Sequence, residues 1–325
     1  MNLYFAILSD SQLSTQPTSH SRSIDVYEPI AKNPAINYLI SLQSKRSRQT
    51  MKSFLNIISK KLGTSDLTEC PWHKIKRQHI HAVIESLLHD GRSPATVNTY
   101  LAAVKGVMLE AWTMKLIDTD TYQHIQKIKS IRGSRVDKGR SLTSGEITQL
   151  FQTIEKDKTA KGLRDAAIVA TLLGCGLRRS ELVTLNIQDV EKTTKTIVIL
   201  GKGNKQRRAF VPDSTWKYIS DWIEEIRGNY SGPLFTRIRR FDDVTFNRIS
   251  DQAIYHILQT RQVEADIHSF APHDLRRTFA SMMLANGEDI VTVKDAMGHA
   301  SVTTTQRYDR RGDERLRRAS QRIIF

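Results

Sequence analysis

Four short segments hold side chains able to grip a phosphate, move a proton or attack phosphorus, and all lie in the second half of the chain. In Gly176-Leu177-Arg178-Arg179-Ser180-Glu181-Leu182, Arg178 and Glu181 stand three apart after a glycine turn, which puts guanidinium and carboxylate on one helix face. Such an arginine can be aimed and braced, although the same spacing suits a surface ion pair worth under about 1 kcal/mol. Gly201-Lys202-Gly203-Asn204-Lys205-Gln206-Arg207-Arg208 reads as a cationic hairpin tip. It lacks the Lys-Ser/Thr ending of a Walker sequence and joins strand to strand, which excludes nucleotide binding. Lys202 could instead reach a DNA groove and donate a proton, with Lys205 and Arg207 as neighbouring DNA contacts.

His273-Asp274-Leu275-Arg276-Arg277, after Pro272, puts imidazole and guanidinium on one face of a helix start, a pairing suited to phosphate. It equally suits a packing histidine beside a surface arginine. Last comes Gly298-His299, a hydroxyl-rich stretch over 301–305, and Tyr308. A free phenol has a pKa near 10, so Tyr308 needs a base and a cationic pocket to act as a nucleophile at neutral pH. The other three segments hold such groups. No acidic cluster with two-metal spacing accompanies them, which argues against a metal-dependent nuclease. His73, His79 and His81 lack cysteine or acidic partners at metal-ligand spacing, so no metal site is expected there.

The elements that must hold these groups are mostly helical. From Asn33 to about Arg132 apolar residues recur at three and four spacing, as in Ala35, Tyr38, Leu39 and Leu42. Ser93-Pro94 opens a helix that should bury Val97, Leu101, Val104, Val107, Met108 and Ala111. Lys45, Arg46, Arg48 and Lys52 belong to the same region as candidate DNA contacts. Residues 133–141 carry glycine, serine and charge without an apolar period, as a linker would. Leu142-Thr143-Ser144-Gly145-Glu146 then reads as a hydrophobic staple and capping box. Beyond it, an apolar helix over Ala166 to Leu173 precedes a hairpin of Thr196 to Leu200 with Arg208 to Val211, and helices follow to the C-terminus.

At 325 residues two domains are expected, and 49 Lys plus Arg against 34 Asp plus Glu, a net charge of +15, favour a polyanionic partner. Cys70 and Cys175 form no CxxC pair, so no disulfide framework is expected. The apolar run from Leu3 to Leu8 lacks a basic flank and is far below spanning length, which reads as a cytosolic protein with no membrane partner.

Taken in chain order, the GLRRSEL box, the GKGNK hairpin, the HDLRR box, the Gly298-His299 pair and a tyrosine nine residues after that histidine resemble the signature of the tyrosine recombinase (phage integrase) family, above all its Xer-type bacterial members. The motifs cover about Thr143 to Arg311. The resemblance implies that Arg178 and Arg276 grip non-bridging phosphate oxygens and that Glu181 orients the site. It implies Lys202 as general acid, His273 and His299 in the two imidazole positions, and Tyr308 as nucleophile, with no cofactor and no metal. Arg277 stands where many relatives carry histidine.

The implied fold is mainly α, in the bacterial cytosol: a flexible arm over 1–32, a helical core-binding domain over 33–132, and an α+β catalytic domain over 142–311 with a small antiparallel sheet. A tail over 312–325 would contact a neighbouring subunit. The implied partner is double-stranded DNA with a specific site. Two such sites would be held by a homotetramer, alone or with a related recombinase or accessory protein, and strands would exchange through a Holliday junction in integration, excision or resolution of mobile DNA. A type IB topoisomerase and a DNA-binding regulator with an inert pocket remain the alternatives.

Overall fold

The computed structural model describes residues 32–133, 139–201, 205–299, 301–306 and 320–321 of the chain. The chain divides into two compact units, residues 1–136 and 137–325. Lys202, Tyr308, most of the arm and nearly all of the tail lie outside the described residues.

In the first unit, helices α1 (Pro34–Ser41), α2 (Lys45–Lys61), α3 (Arg77–His89) and α5 (Thr119–Gln126) pack around α4 (Pro94–Thr113). Helix α4 begins where Ser93 accepts a hydrogen bond from the Thr96 N–H at 3.2 Å with Pro94 in the first turn. It buries all six of the apolar residues expected there, together with Tyr100 and Ala103. Around it Leu39, Leu55, Ile58, Trp72 and Leu87 are each almost fully removed from water.

In the second unit, the expected capping box opens α6 (Ser144–Ile154): Glu146 N–H donates to Thr143 Oγ1 at 3.2 Å, and Thr143 N–H donates to Glu146 Oε2 at 2.9 Å. Helix α7 (Ala160–Gly174) is the centre of the core, with Ala166 to Leu173 entirely buried. A helix apolar on every side must be enclosed on every side, and α6, α8 (Arg179–Thr184), α9 (Asp213–Asp221), α10 (Asp251–Glu264) and α11 (Pro272–Ala285) enclose it. Helix α10 is fastened to this core by a buried ion network, in which Arg261 donates to Asp165 at 2.9 Å and to Asp157 at 2.6 Å.

Between α8 and α9 lies an antiparallel sheet of β1 (Val190–Glu191), β2 (Thr196–Leu200) and β3 (Gln206–Phe210). Strand β3 starts at Gln206 rather than Arg208, because pairing continues through Ile199 with Arg207 and Leu200 with Gln206. A second hairpin, β4 (Thr236–Ile238) with β5 (Val244–Arg248), interrupts the stretch read as wholly helical. Its turn holds Phe241 and Asp242 at φ 57° and 59°. Asp242 secures it by accepting hydrogen bonds from Ala160 N–H at 2.6 Å and Lys161 N–H at 3.2 Å, the first turn of α7. That tie is tertiary, about 80 residues away in sequence, and no local pattern announces it. Helices α12 (Ile290–Met297) and α13 (Val302–Gln306) follow. The architecture is mainly α with small antiparallel sheets. No helix among the described residues is long and apolar enough to cross a membrane.

Candidate active site

The site is assembled from chain reversals. After α7 the chain turns at Gly176, whose φ is +58°, and a Cβ there would come within 2.3 Å of the Phe279 ring, so only glycine allows the approach. Arg178 follows in extended conformation as the N-cap of α8, with φ −72° and ψ 146°. Glu181, three residues on, folds back to accept the Arg178 N–H at 2.9 Å and its Nη1 at 2.7 Å. The three-residue spacing therefore reflects a helix cap rather than one face of a helix.

Glu181 has a second cation. Arg207 from β3 forks onto it, Nη1 to Oε1 at 3.1 Å and Nη2 to Oε2 at 2.9 Å. Burial pulls the Glu181 pKa upward, but the hydrogen bonds from Arg207 and Arg178 outweigh that and hold it at about 2. Arg207 was expected on the DNA-facing tip; its side chain is 13% exposed and turned into the site. Arg207 shares a face with buried Ala209, but no local signal picks that face, since the apolar Phe210 on the other one is exposed.

Arg276, in α11, is 1% exposed. Its Nη1 donates to the Gly176 carbonyl and its Nη2 to the Met297 carbonyl at 2.5 Å, so it joins the turn before Arg178 to the end of α12. That helix ends at Gly298 in the left-handed region, φ 63° and ψ 45°, and a Cβ there would press to 2.9 Å from Arg207 Cδ. Arg178 Nη2 reaches the Gly298 carbonyl at 3.5 Å. His299 is buried next, its Nδ1 2.9 Å from Thr305 Oγ1 on α13.

These groups lie within electrostatic reach of one another. Burial, and then the charges of Arg276 and Arg178, lower the His299 pKa to about 4. His273, exposed at the start of α11, is lowered by partial desolvation and by Arg276, Arg277 and Arg178. Both imidazoles are held neutral at pH 7 beside guanidiniums. Cys175 lies close by, and burial pushes its thiol up to about 12, which leaves it inert. Thus Arg178, Glu181, His273, Arg276 and His299 come together, joined by Arg207. Gly201, which precedes Lys202, lies at the edge of the cluster, its Cβ position 3.8 Å from Glu181 Oε1. Lys202 and Tyr308 themselves are outside the described residues.

The remaining candidates lie elsewhere. Lys205 is exposed at the foot of β3. On α2, Lys45 and Arg46 are exposed, Lys52 is half-buried, and Arg48 donates to the Leu42 carbonyl at 3.0 Å. Two histidines of the first unit have local roles: His79 Nδ1 accepts the Lys76 N–H at 3.0 Å at the start of α3, and His81 accepts from Arg77 at 3.4 Å. Asp274, not singled out from sequence, accepts the Ala271 N–H at 2.9 Å and the Arg140 N–H at 3.1 Å, tying α11 to the segment before α6.

Residues 140–315 match the model of the phage integrase family. The chain belongs to that family. This phage integrase family member is a tyrosine recombinase of the Xer-like type, 29% identical over 242 residues to a tyrosine recombinase XerD of Oceanobacillus iheyensis, covering 73% of this chain and 78% of that one. Its fold is similar to that of lambda integrase, solved as a dimer bound to a COC′ core site, with a TM-score of 0.65 at 15% identity over 88% of this chain and 96% of that one. It is likewise similar to that of an XerH site-specific recombinase bound to a palindromic difH substrate, with a TM-score of 0.61 at 19% identity over 90% and 94% of the two chains.

Proposed function

We propose that this family member cleaves and rejoins a specific duplex DNA site through a 3′-phosphotyrosine at Tyr308, exchanging strands between two sites by way of a Holliday junction. The observation that supports this reading is the convergence of Arg178, Arg276, His273 and His299 from three separate chain segments on one pocket. Tyr308 Oη attacks the scissile phosphorus, its proton passes to a base of the pocket, and the bond to the 5′-oxygen breaks. Lys202 protonates that oxygen as it leaves. Negative charge grows on the non-bridging oxygens, where Arg178, 39% exposed, meets them directly and Arg276 adds its charge from the floor of the pocket. Neutral His273 and His299 donate N–H groups and shuttle the proton. Religation reverses the steps, so the phosphotyrosine conserves the bond and no nucleotide is consumed. Residues 33–132, with Lys45, Arg46, Arg48 and Lys52, serve as the second DNA-holding element, Lys205 contacts the backbone near the hairpin, and four copies act on two sites.

Two measurements test this. The sequence that the purified protein protects from nuclease is built into a nicked duplex, on which the wild type forms a covalent adduct with EDTA present and ATP absent. Tyr308→Phe binds that duplex without adduct; an equal adduct from the Phe variant overturns the assignment of nucleophile. Plasmids with two such sites yield deletion or inversion products, and relaxation alone, irrespective of site, overturns recombination.

A further inference from the structure

Glu181 is shared by two arginines, and the manner of sharing matters. Oε1 accepts from Arg178 Nη1 at 2.7 Å and Arg207 Nη1 at 3.1 Å; Oε2 accepts from the Arg178 backbone N–H at 2.9 Å and Arg207 Nη2 at 2.9 Å. Each oxygen thus takes two donors, and the fork-on-fork geometry that arginine favours with a carboxylate is taken by Arg207. Arg178 is left with a single side-chain contact to Glu181. The exposures match: the Arg207 side chain is 13% exposed and that of Arg178 39%. A carboxylate without Arg207 has lone pairs open to Arg178, the nearest guanidinium, and a bidentate pair there would draw it down and away from its exposed position.

The geometry points to Arg207 as a positioning residue that saturates Glu181 and thereby keeps the Arg178 guanidinium presented to the phosphate. Its placement is built in. Arg207 shares the inward face of β3 with buried Ala209, pairs with Ile199, and passes within 2.9 Å of where a Cβ at Gly298 would stand. It contacts no substrate in this account, so it acts through Arg178. The inference rests on the function proposed above.

The test uses the full chain and the nicked duplex carrying the protected sequence. Arg207→Ala is expected to slow single-turnover adduct formation about 100-fold, comparable to loss of one transition-state donor, while binding the duplex within about 3-fold of wild type. Arg207→Lys, which supplies a single ammonium and no fork, recovers only part of the rate. The deciding variant is Arg207→Ala/Glu181→Ala. With no carboxylate to capture Arg178, it should form adduct at least about 10-fold faster than Arg207→Ala, whereas two merely structural losses would add. A rate for Arg207→Ala near that of wild type overturns the inference, as does a double variant no faster than the single. Should Arg207→Ala fail to fold, full activity of Arg207→Lys overturns it and a partial rate supports it. Absence of any adduct from the wild type is a different result, because it overturns the proposed function itself.

Discussion

At the scale of single residues, the pocket is a device for holding opposite tendencies in balance. Glu181 stays ionised although buried, and His299 stays neutral although histidine at its ordinary pKa of 6.5 would be partly charged near neutrality. Both choices make the folded state sensitive to acid. The His299 pKa falls from 6.5 unfolded to about 4 folded, so between those values the unfolded chain binds more protons and stability declines as pH falls. His273, lowered in the same direction, adds to this. Glu181, moved from 4.5 to about 2, extends the decline at lower pH. Urea midpoints should therefore drop from pH 7 to pH 5 in wild type and drop less in His299→Gln. Parallel declines in the two proteins would place the acid sensitivity elsewhere.

At the scale of elements, what the sequence made legible and what it hid divide by locality. The capping box at Thr143, the Ser93-Pro94 start and the glycine breaks at Gly176 and Gly298 are read from neighbours within four residues, and each forms. The five site residues expected from the motifs and also described are brought together, since each motif carries its own turn. Arg207 was assigned to the tip because its partner is 26 residues away and its direction depends on the register of β3. The β4–β5 hairpin is not legible in the sequence for the same reason, being secured through Asp242 to a distant helix end. The glycines can be compared directly. Gly176 and Gly287 both have positive φ, +58° and +96°, but an added Cβ strikes Phe279 at the first and meets nothing within 4 Å at the second. Gly287→Ala should cost about 1 kcal/mol, the backbone penalty alone, and Gly176→Ala about 1–3 kcal/mol more with loss of adduct formation. Equal unfolding free energies for the two variants would show that the Phe279 contact relaxes at no cost.

At the scale of the whole molecule, the excess of 49 basic over 34 acidic side chains has to be divided between those that meet DNA and those already spent inside the protein. Arg164, Arg207 and Arg261 belong to the second group, each fixed to a carboxylate. Lys45, Arg46 and Lys205 are exposed, and the proposed function assigns them to the first. Counterion release separates the groups by experiment. A side chain that neutralises a phosphate contributes about 0.9 to the slope of log affinity against log salt concentration, and one that is spent internally contributes nothing. Removing Lys45, Arg46 or Lys205 by alanine should each flatten the slope by roughly one, with a similar loss of affinity on unrelated duplexes. Arg207→Ala/Glu181→Ala, which removes a matched pair of charges and leaves Arg178 uncaptured, should keep the wild-type slope. A flattened slope for that variant would return Arg207 to the DNA surface, and an unchanged slope for Lys205→Ala would remove the hairpin foot from it.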